Sequence, residues 1–123
     1  MGKYDEYMDE ECIDFCDALN ELPGVETYES CCGHYRRPYY VFLNCKDFVS
    51  LAIMARVFDR RYCDSEVGWE ILAETKDVRP VYGFWLRSKG IFKDKDQLMN
   101  DIKNRIEDIK YWSQDKFKEY FKA

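Results

Sequence analysis

The stretch "VETYESCCGHYRRPYYVFLNC", residues 25 to 45, decides the fold. Its two ends, 25–32 and 39–45, have the composition of β-strands, because β-branched and aromatic residues suit a pleated, half-buried surface. Gly33 and Pro38 lie between them and indicate a turn. The stretch therefore predicts a β-hairpin with an elaborate loop at its tip.

Regular patterns lie on both sides of this hairpin. Residues 4–21 repeat apolar side chains at helical spacing and end at an "LPG" sequence. After the hairpin, Asp47 is the expected N-cap of a helix that runs to about residue 60. Residues 67–75 and 81–88 have strand character and flank a turn-like "KDVRP", which predicts a second hairpin.

A long helix is predicted for residues 94–120. Its apolar stripe consists of Leu98, Ile102, Ile106, Ile109, Trp112, Phe117 and Tyr120. At a rise of about 1.5 Å per residue it would be roughly 40 Å long, about as long as a domain of this size is wide. We therefore expect its far end to pack on a partner chain and give a homo-oligomer.

The order of predicted elements sets the fold class. Helix, hairpin, helix, hairpin and helix predict an α+β fold, with a four-stranded, mainly antiparallel sheet and the helices packed on one face. A length of 123 residues fits one domain. No linker or repeat divides the chain, so residues 1–123 are predicted to form a single domain.

Composition narrows the classes of function. The chain is 46% hydrophobic and 35% charged, which suits a folded core. A net charge of −5 disfavours general DNA binding, which uses a basic face. Neither a signal peptide nor an apolar run of membrane-spanning length is present. We expect a cytoplasmic protein without a membrane partner, whose six cysteines are thiols or ligands and not disulfides.

The loop at the tip of the first hairpin carries the candidate site. Gly33 accepts a positive φ, which lets successive backbone N–H groups converge on an anion. Arg36 and Arg37 supply forked donors for phosphate or carboxylate, and the tyrosines offer surfaces for a base. The predicted ligand-binding residues are Ser30, Cys32, Gly33, His34, Tyr35, Arg36, Arg37 and Tyr39. The predicted ligand is an anionic small molecule, a nucleotide; no catalytic residue and no cofactor are predicted.

Other interpretations of the loop stay open. Cys31, Cys32 and His34 are zinc-ligand types, and Cys12 and Cys16 could complete a site. However, adjacent cysteines of a regular strand point to opposite faces, so no metal site is predicted. Cys32 and His34 could also act as thiolate and base, although no third, orienting group is identified. The plainest alternative is a solvated loop whose arginines pair with surface acids.

Four segments resemble a group of small phage and bacterial proteins: "LPGVETYESCCGH", "YYVFLNC", "GWEILAET" and "VYGFWL". That group carries the signature "PG-x-x-T-x-x-SCCGHG", followed by an aromatic strand, a helix and a "GW" strand. The resemblance covers residues 22–88. Tyr35 stands where the group commonly has a second glycine, so a differently shaped loop is expected.

A second similarity is to the small methyltransferase family of wybutosine synthesis. An "SSCSGR" segment of that family also lies between two strands. Ser30, Cys31 and Gly33 match it, whereas Cys32 and His34 replace its Ser and Arg. The likeness implies a phosphate or nucleotide site between two strands and does not imply methyl transfer.

Three functional hypotheses follow. The first is a small cytoplasmic phage-type protein that binds a nucleotide and, by analogy with phage sponges, sequesters a host immune signal. The second is an enzyme that modifies RNA or nucleotides with Cys32 or His34. The third is a protein-interaction module that inhibits a host factor through its acidic surface and its carboxy-terminal helix.

Overall fold

A computed structural model of the chain describes residues 8–73 and 83–121. The elements are α1 (Glu10–Asn20), β1 (Val25–Cys31), β2 (Tyr40–Cys45), α2 (Phe48–Phe58), β3 (Trp69–Ala73), β4 (Gly83–Ser88), α3 (Lys95–Trp112) and α4 (Lys118–Phe121). Two 3₁₀ turns, Gly33–Tyr35 and Asp115–Phe117, complete them. The predicted α+β class is confirmed. Residues 4–7 of the first predicted helix and the predicted turn "KDVRP" lie outside the described residues. Because α1 begins at Glu10, the prediction of helix at residues 8 and 9 is wrong.

The four strands form one antiparallel sheet in the order β1-β2-β4-β3. Because side chains alternate along each strand, Val41 and Leu43 of β2 and Leu86 of β4 face the helices and are buried. Tyr40, Phe42 and Trp85 point to the other side. The helices that the structure describes pack on the first face, as predicted.

Aromatic side chains form the centre of the core. The Phe15 ring of α1 lies 6.0 Å from Phe58 of α2 and 5.7 Å from Trp69 of β3, measured between ring centroids. It also lies 5.7 Å from Tyr39, which immediately precedes β2. All four residues are buried. These contacts fix α1 and α2 against the sheet and so place the amino end of α1 beside the first hairpin.

An ion-pair network surrounds the buried Arg105 side chain of α3. The Arg105 side chain is 0% exposed, with Nη1 3.4 Å from Asp101 Oδ1 and Nη2 3.4 Å from Asp108 Oδ2. Asp64 also pairs with it. Burial favours a lower pKa for Arg105, but its hydrogen bond to Asp64 and the neighbouring charges outweigh burial and raise it. Asp101 accepts a 3.3 Å bond from Trp69 Nε1, so the network joins α3 to β3.

The carboxy-terminal region corrects the prediction of one helix over residues 94–120. Helix α3 ends at Trp112, and Ser113 N–H donates to the Ile109 carbonyl at 3.0 Å. The chain then folds back, so that Trp112 lies 5.9 Å from the Phe121 ring and 4.8 Å from the Arg56 guanidinium. With 18 residues, α3 is about 27 Å long. The length of α3 therefore gives no reason to expect a partner chain at its far end.

The start of α2 and the character of the helices bear on two further predictions. Asp47 is the N-cap of α2, and its carboxylate accepts the Ser50 N–H at 2.9 Å, as expected. In the ranges 8–73 and 83–121, no helix combines the length and the apolar character needed to cross a bilayer.

Removing the Arg105 guanidinium should destabilise the fold strongly. In Arg105→Met, the buried Asp101 carboxylate loses its cation, so we expect the free energy of unfolding to fall by about 3–5 kcal/mol. Urea denaturation followed by tryptophan fluorescence measures it. Lys103→Met, on the exposed side of the same helix, should change it by less than about 0.5 kcal/mol. Equal losses in the two variants would contradict a stabilising role for the network.

Candidate functional site

The loop between β1 and β2 has an unusual backbone. Three successive residues have positive φ: Gly33 at 82°, His34 at 52° and Tyr35 at 61°. A Cβ on Gly33 would lie 3.0 Å from the Pro38 carbonyl oxygen, so only glycine fits there without a shift. For His34 and Tyr35 the left-handed conformation costs about 1–2 kcal/mol each. Strain of this kind is concentrated at functional sites.

Hydrogen bonds hold the loop in this shape. The N–H groups of Arg36 and Arg37 both donate to the Gly33 carbonyl, at 3.0 and 3.1 Å. The His34 N–H lies 3.4 Å from Cys32 Sγ, and the Gly33 N–H lies 3.4 Å from Cys31 Sγ. The loop is therefore an ordered turn and not a free hairpin tip.

Asp9, which sequence reasoning missed, completes a cluster with Cys32 and His34. Its Oδ2 accepts the Cys32 N–H at 2.9 Å and lies 3.8 Å from His34 Nε2. Cys32 Sγ lies 3.6 Å from His34 Nδ1. One ligand-type atom from each of the three residues lies within 4.8 Å of the others. The cluster thus joins the amino end of α1 to the loop.

The Asp9 side chain does not cap the helix that it precedes. It is the N-cap of α1, yet its side chain makes no capping hydrogen bond to that helix. An N-cap aspartate normally accepts from the second or third N–H of its own helix. The carboxylate instead accepts from the loop, 23 residues away. The predicted helix over residues 4–21 placed Asp9 inside the helix, so neither its position at the helix start nor its partner was visible in the sequence.

The backbone donors of the loop are therefore not available as predicted. Cys32 is right-handed and Gly33 left-handed, a pairing that makes adjacent N–H groups converge on an anion. The anion is the chain's own Asp9 carboxylate, bound through Cys32 N–H. The predicted role of the Gly33 amides in holding an external anion is corrected accordingly.

Ser30 and Tyr39 are also corrected as ligand contacts. Ser30 pairs with Val41 on the helix-facing side of the sheet, and its hydroxyl is buried. Tyr39 is 0% exposed, and its hydroxyl donates to the Glu11 carbonyl at 3.0 Å. Neither side chain can reach a ligand outside the loop, because each is enclosed between the sheet and α1.

Cys32 is enclosed as well. It is 3% exposed, and burial raises the pKa of its thiol to about 11. A nucleophilic cysteine needs a lowered pKa and access to substrate, so this environment disfavours the thiolate expected of a catalytic residue. Cys31 lies on the opposite side, paired with Tyr40 on the open face. The two adjacent cysteines thus face apart.

Cys12 and Cys16 do not complete a metal site. Both are 0% exposed within the hydrophobic core cluster, on the sheet-facing side of α1. Burial raises the pKa of the Cys12 thiol to about 12. They are core residues, which was the simpler interpretation of their helical spacing.

The remaining predicted residues lie at the surface. The His34 side chain is 66% exposed, and Arg36 and Arg37 are exposed. Within the described part of the chain, neither arginine forms an ion pair, whereas Arg61 and Arg87 pair with acids at 2.9 and 2.8 Å. Tyr35 is half-buried against the core.

An aromatic surface that sequence reasoning also missed lies beside the loop. We call Tyr28, Tyr40, Phe42 and Trp85 the open-face rings. These rings contact one another across β1, β2 and β4. The centroid distances are 5.3 Å for Tyr40–Trp85, 4.7 Å for Phe42–Trp85 and 6.5 Å for Tyr28–Phe42. The Tyr28 side chain is the most exposed, with the residue at 57%. For Tyr40, Phe42 and Trp85, the alternation of side chains in β2 and β4 was the available signal.

A cavity of about 550 Å³ lies elsewhere, between the segment after α2 and the start of α3. Its lining includes Asp64, Glu66, Asp94, Asp96 and Asp101. So many carboxylates, with Lys93 as the opposing charge, repel an anion. This cavity therefore does not serve as the predicted anion site.

Glycine at position 34 should relieve the backbone strain of the loop. His34→Gly and His34→Ala remove the same exposed ring, but only glycine adopts φ of about 50° without a Cβ penalty. We expect the free energy of unfolding of the glycine variant to be about 1 kcal/mol higher than that of the alanine variant, as measured by thermal or urea denaturation. Equal stabilities would mean that the loop does not hold this left-handed backbone.

Comparisons with known proteins do not place this chain in a family. No protein-family model, curated protein or solved structure matches it. The function is therefore inferred from the contacts, burial and charges of the chain's own residues.

Proposed function

We propose that this protein binds a nucleotide, with phosphate held by Arg36 and Arg37 and the base placed on the open-face rings. The observation that carries the proposal is the exposure of the two arginines and their lack of an ion pair with any described acid. The chain as a whole has 24 acidic and 19 basic residues. Two adjacent guanidinium groups with free donors suit a phosphate.

The position of the rings supports a base site next to these arginines. Tyr40 begins β2 only three residues after Arg37, so their Cα atoms are at most about 11 Å apart. Trp85 lies against Tyr40 on the neighbouring strand. Aromatic side chains on an open sheet are a recurrent platform for bases. This assignment replaces Tyr39, which is buried, as the stacking surface.

The charges on the open face favour a small anion over a nucleic acid. Glu26 and Glu29 are exposed there on β1, and Glu70 lies on β3. A long strand would bring successive phosphates close to these carboxylates, whereas a single nucleotide need not cross them. The net charge of −5 also disfavours a nucleic acid, because it repels a chain of phosphates.

The role of this binding is sequestration and not catalysis. The buried Cys32 thiol disfavours a nucleophilic mechanism, although Cys32, His34 and Asp9 follow one another in space as nucleophile, base and orienting acid would. A binder present in excess lowers the free concentration of its ligand by mass action. The phage-type origin, the host signal, the cytoplasmic location and a homo-oligomer stay predictions.

Isothermal titration calorimetry with cyclic and linear nucleotides tests the phosphate site. In Arg36→Ala/Arg37→Ala we expect at least a tenfold loss of affinity for the nucleotide that binds, because two charge-assisted contacts are removed. Arg60→Ala/Arg61→Ala removes a second adjacent pair of exposed arginines and the same net charge, so it should bind as the wild type does. No heat from any nucleotide, or equal losses in the two variants, would remove the proposal.

Trp85→Ala tests the base platform separately. Loss of stacking should weaken nucleotide binding by about 1–3 kcal/mol, or roughly 5- to 150-fold. Binding of inorganic pyrophosphate, which has no base, should stay unchanged in the same titrations. An equal loss for both ligands would show that the rings hold the loop in place and do not contact a base.

A further inference from the structure

We propose that Asp9, Cys32 and His34 form a site for one divalent ion of the zinc class. The three side chains come from the amino end of α1 and from the loop after β1. One sulfur, one nitrogen and one oxygen converge, each within 4.8 Å of the other two. This site is independent of the proposed nucleotide function, which depends on other side chains.

The distance between the sulfur and the nearer imidazole nitrogen fits a tetrahedral ion. Typical bond lengths of about 2.3 Å to sulfur and about 2.0–2.1 Å to nitrogen separate two tetrahedral ligands by roughly 3.6 Å. Cys32 Sγ and His34 Nδ1 lie 3.6 Å apart. An ion binds one nitrogen of an imidazole, and Nδ1 is the nitrogen that faces Cys32 Sγ. Asp9 Oδ2 lies 3.8 Å from the other nitrogen, Nε2, so the carboxylate or the ring must turn for all three residues to bind one ion. Because one ligand atom of each residue already lies within 4.8 Å of the other two, this change is small.

The surroundings hold these ligands in place, as the outer contacts of a metal site do. The Cys32 N–H fixes Asp9 Oδ2 at 2.9 Å, and the His34 N–H points to Cys32 Sγ at 3.4 Å. A site of this kind gives a functional reason for the strained His34 backbone and for an N-cap residue whose carboxylate is turned away from its own helix.

The donor set selects the type of ion. A thiol and an imidazole suit Zn²⁺ and Co²⁺, whereas Mg²⁺ and Ca²⁺ prefer oxygen ligands alone. With three protein ligands, a fourth position remains for water or another small ligand, as in zinc sites that are not purely structural. The exposed side of His34 gives an ion a path from solvent.

Cobalt substitution tests the site on the chelator-treated full chain. We expect one Co²⁺ per chain with the thiolate-to-cobalt charge-transfer absorption of a sulfur ligand. Cys32→Ser should lose this band, and Cys31→Ser should keep it, because Cys31 faces the open side of the sheet. Asp9→Asn and His34→Gly should each weaken Co²⁺ binding at least tenfold; the glycine variant is expected to fold well, so its loss cannot be ascribed to unfolding.

A thermal readout separates a real site from surface binding. Zn²⁺ should raise the melting temperature of the wild type, of Cys31→Ser and of Arg36→Ala/Arg37→Ala, but not that of Cys32→Ser. A wild type with no thiolate band, a band that survives Cys32→Ser, or weak binding equal in all variants would overturn the proposal.

Discussion

The alternation of side chains along β1 and β2 is the constraint on which the rest of this structure depends. One face of the sheet must be buried against the helices, so each strand residue is assigned to the core or to the open side. A bulge between Thr27 and Glu29 shifts this assignment within β1. Thr27 and Ser30 therefore both face the helices, and Cys31 faces outward. A shift of one residue reverses every side chain beyond it.

The candidate site arises where that strand ends and α1 begins. The aromatic contacts of Phe15 hold α1 against the sheet, and this places Asp9 next to the loop. The carboxylate then occupies the position that an external anion was predicted to take. The three left-handed residues are tolerated because bonds to the Gly33 carbonyl and to Asp9 fix the turn from both sides.

The positive charge of the loop is a local feature on a protein that is acidic overall. The buried cation of the chain, Arg105, is surrounded by carboxylates. Arg36 and Arg37, like Arg60, are exposed and form no ion pair with a described acid, but only this pair lies next to the open-face rings. The aromatic rings beside them lie among glutamates, and this arrangement favours a small ligand that touches only the end of the sheet.

By itself, the sequence determined the order of the elements, both hairpins and the Asp47 cap, because apolar spacing, turn residues and caps act between neighbours in the chain. Tertiary structure alone decided that Asp9 meets Cys32 across 23 residues, that Tyr39 is buried, and that the chain turns back after Trp112. The apolar stripe of the last helix jumps five residues, from Trp112 to Phe117, so the three- and four-residue spacing is interrupted where the helix ends. The bulge left no such mark in the pattern of β1. Such features follow from how whole elements pack on one another, and local spacing does not encode that packing.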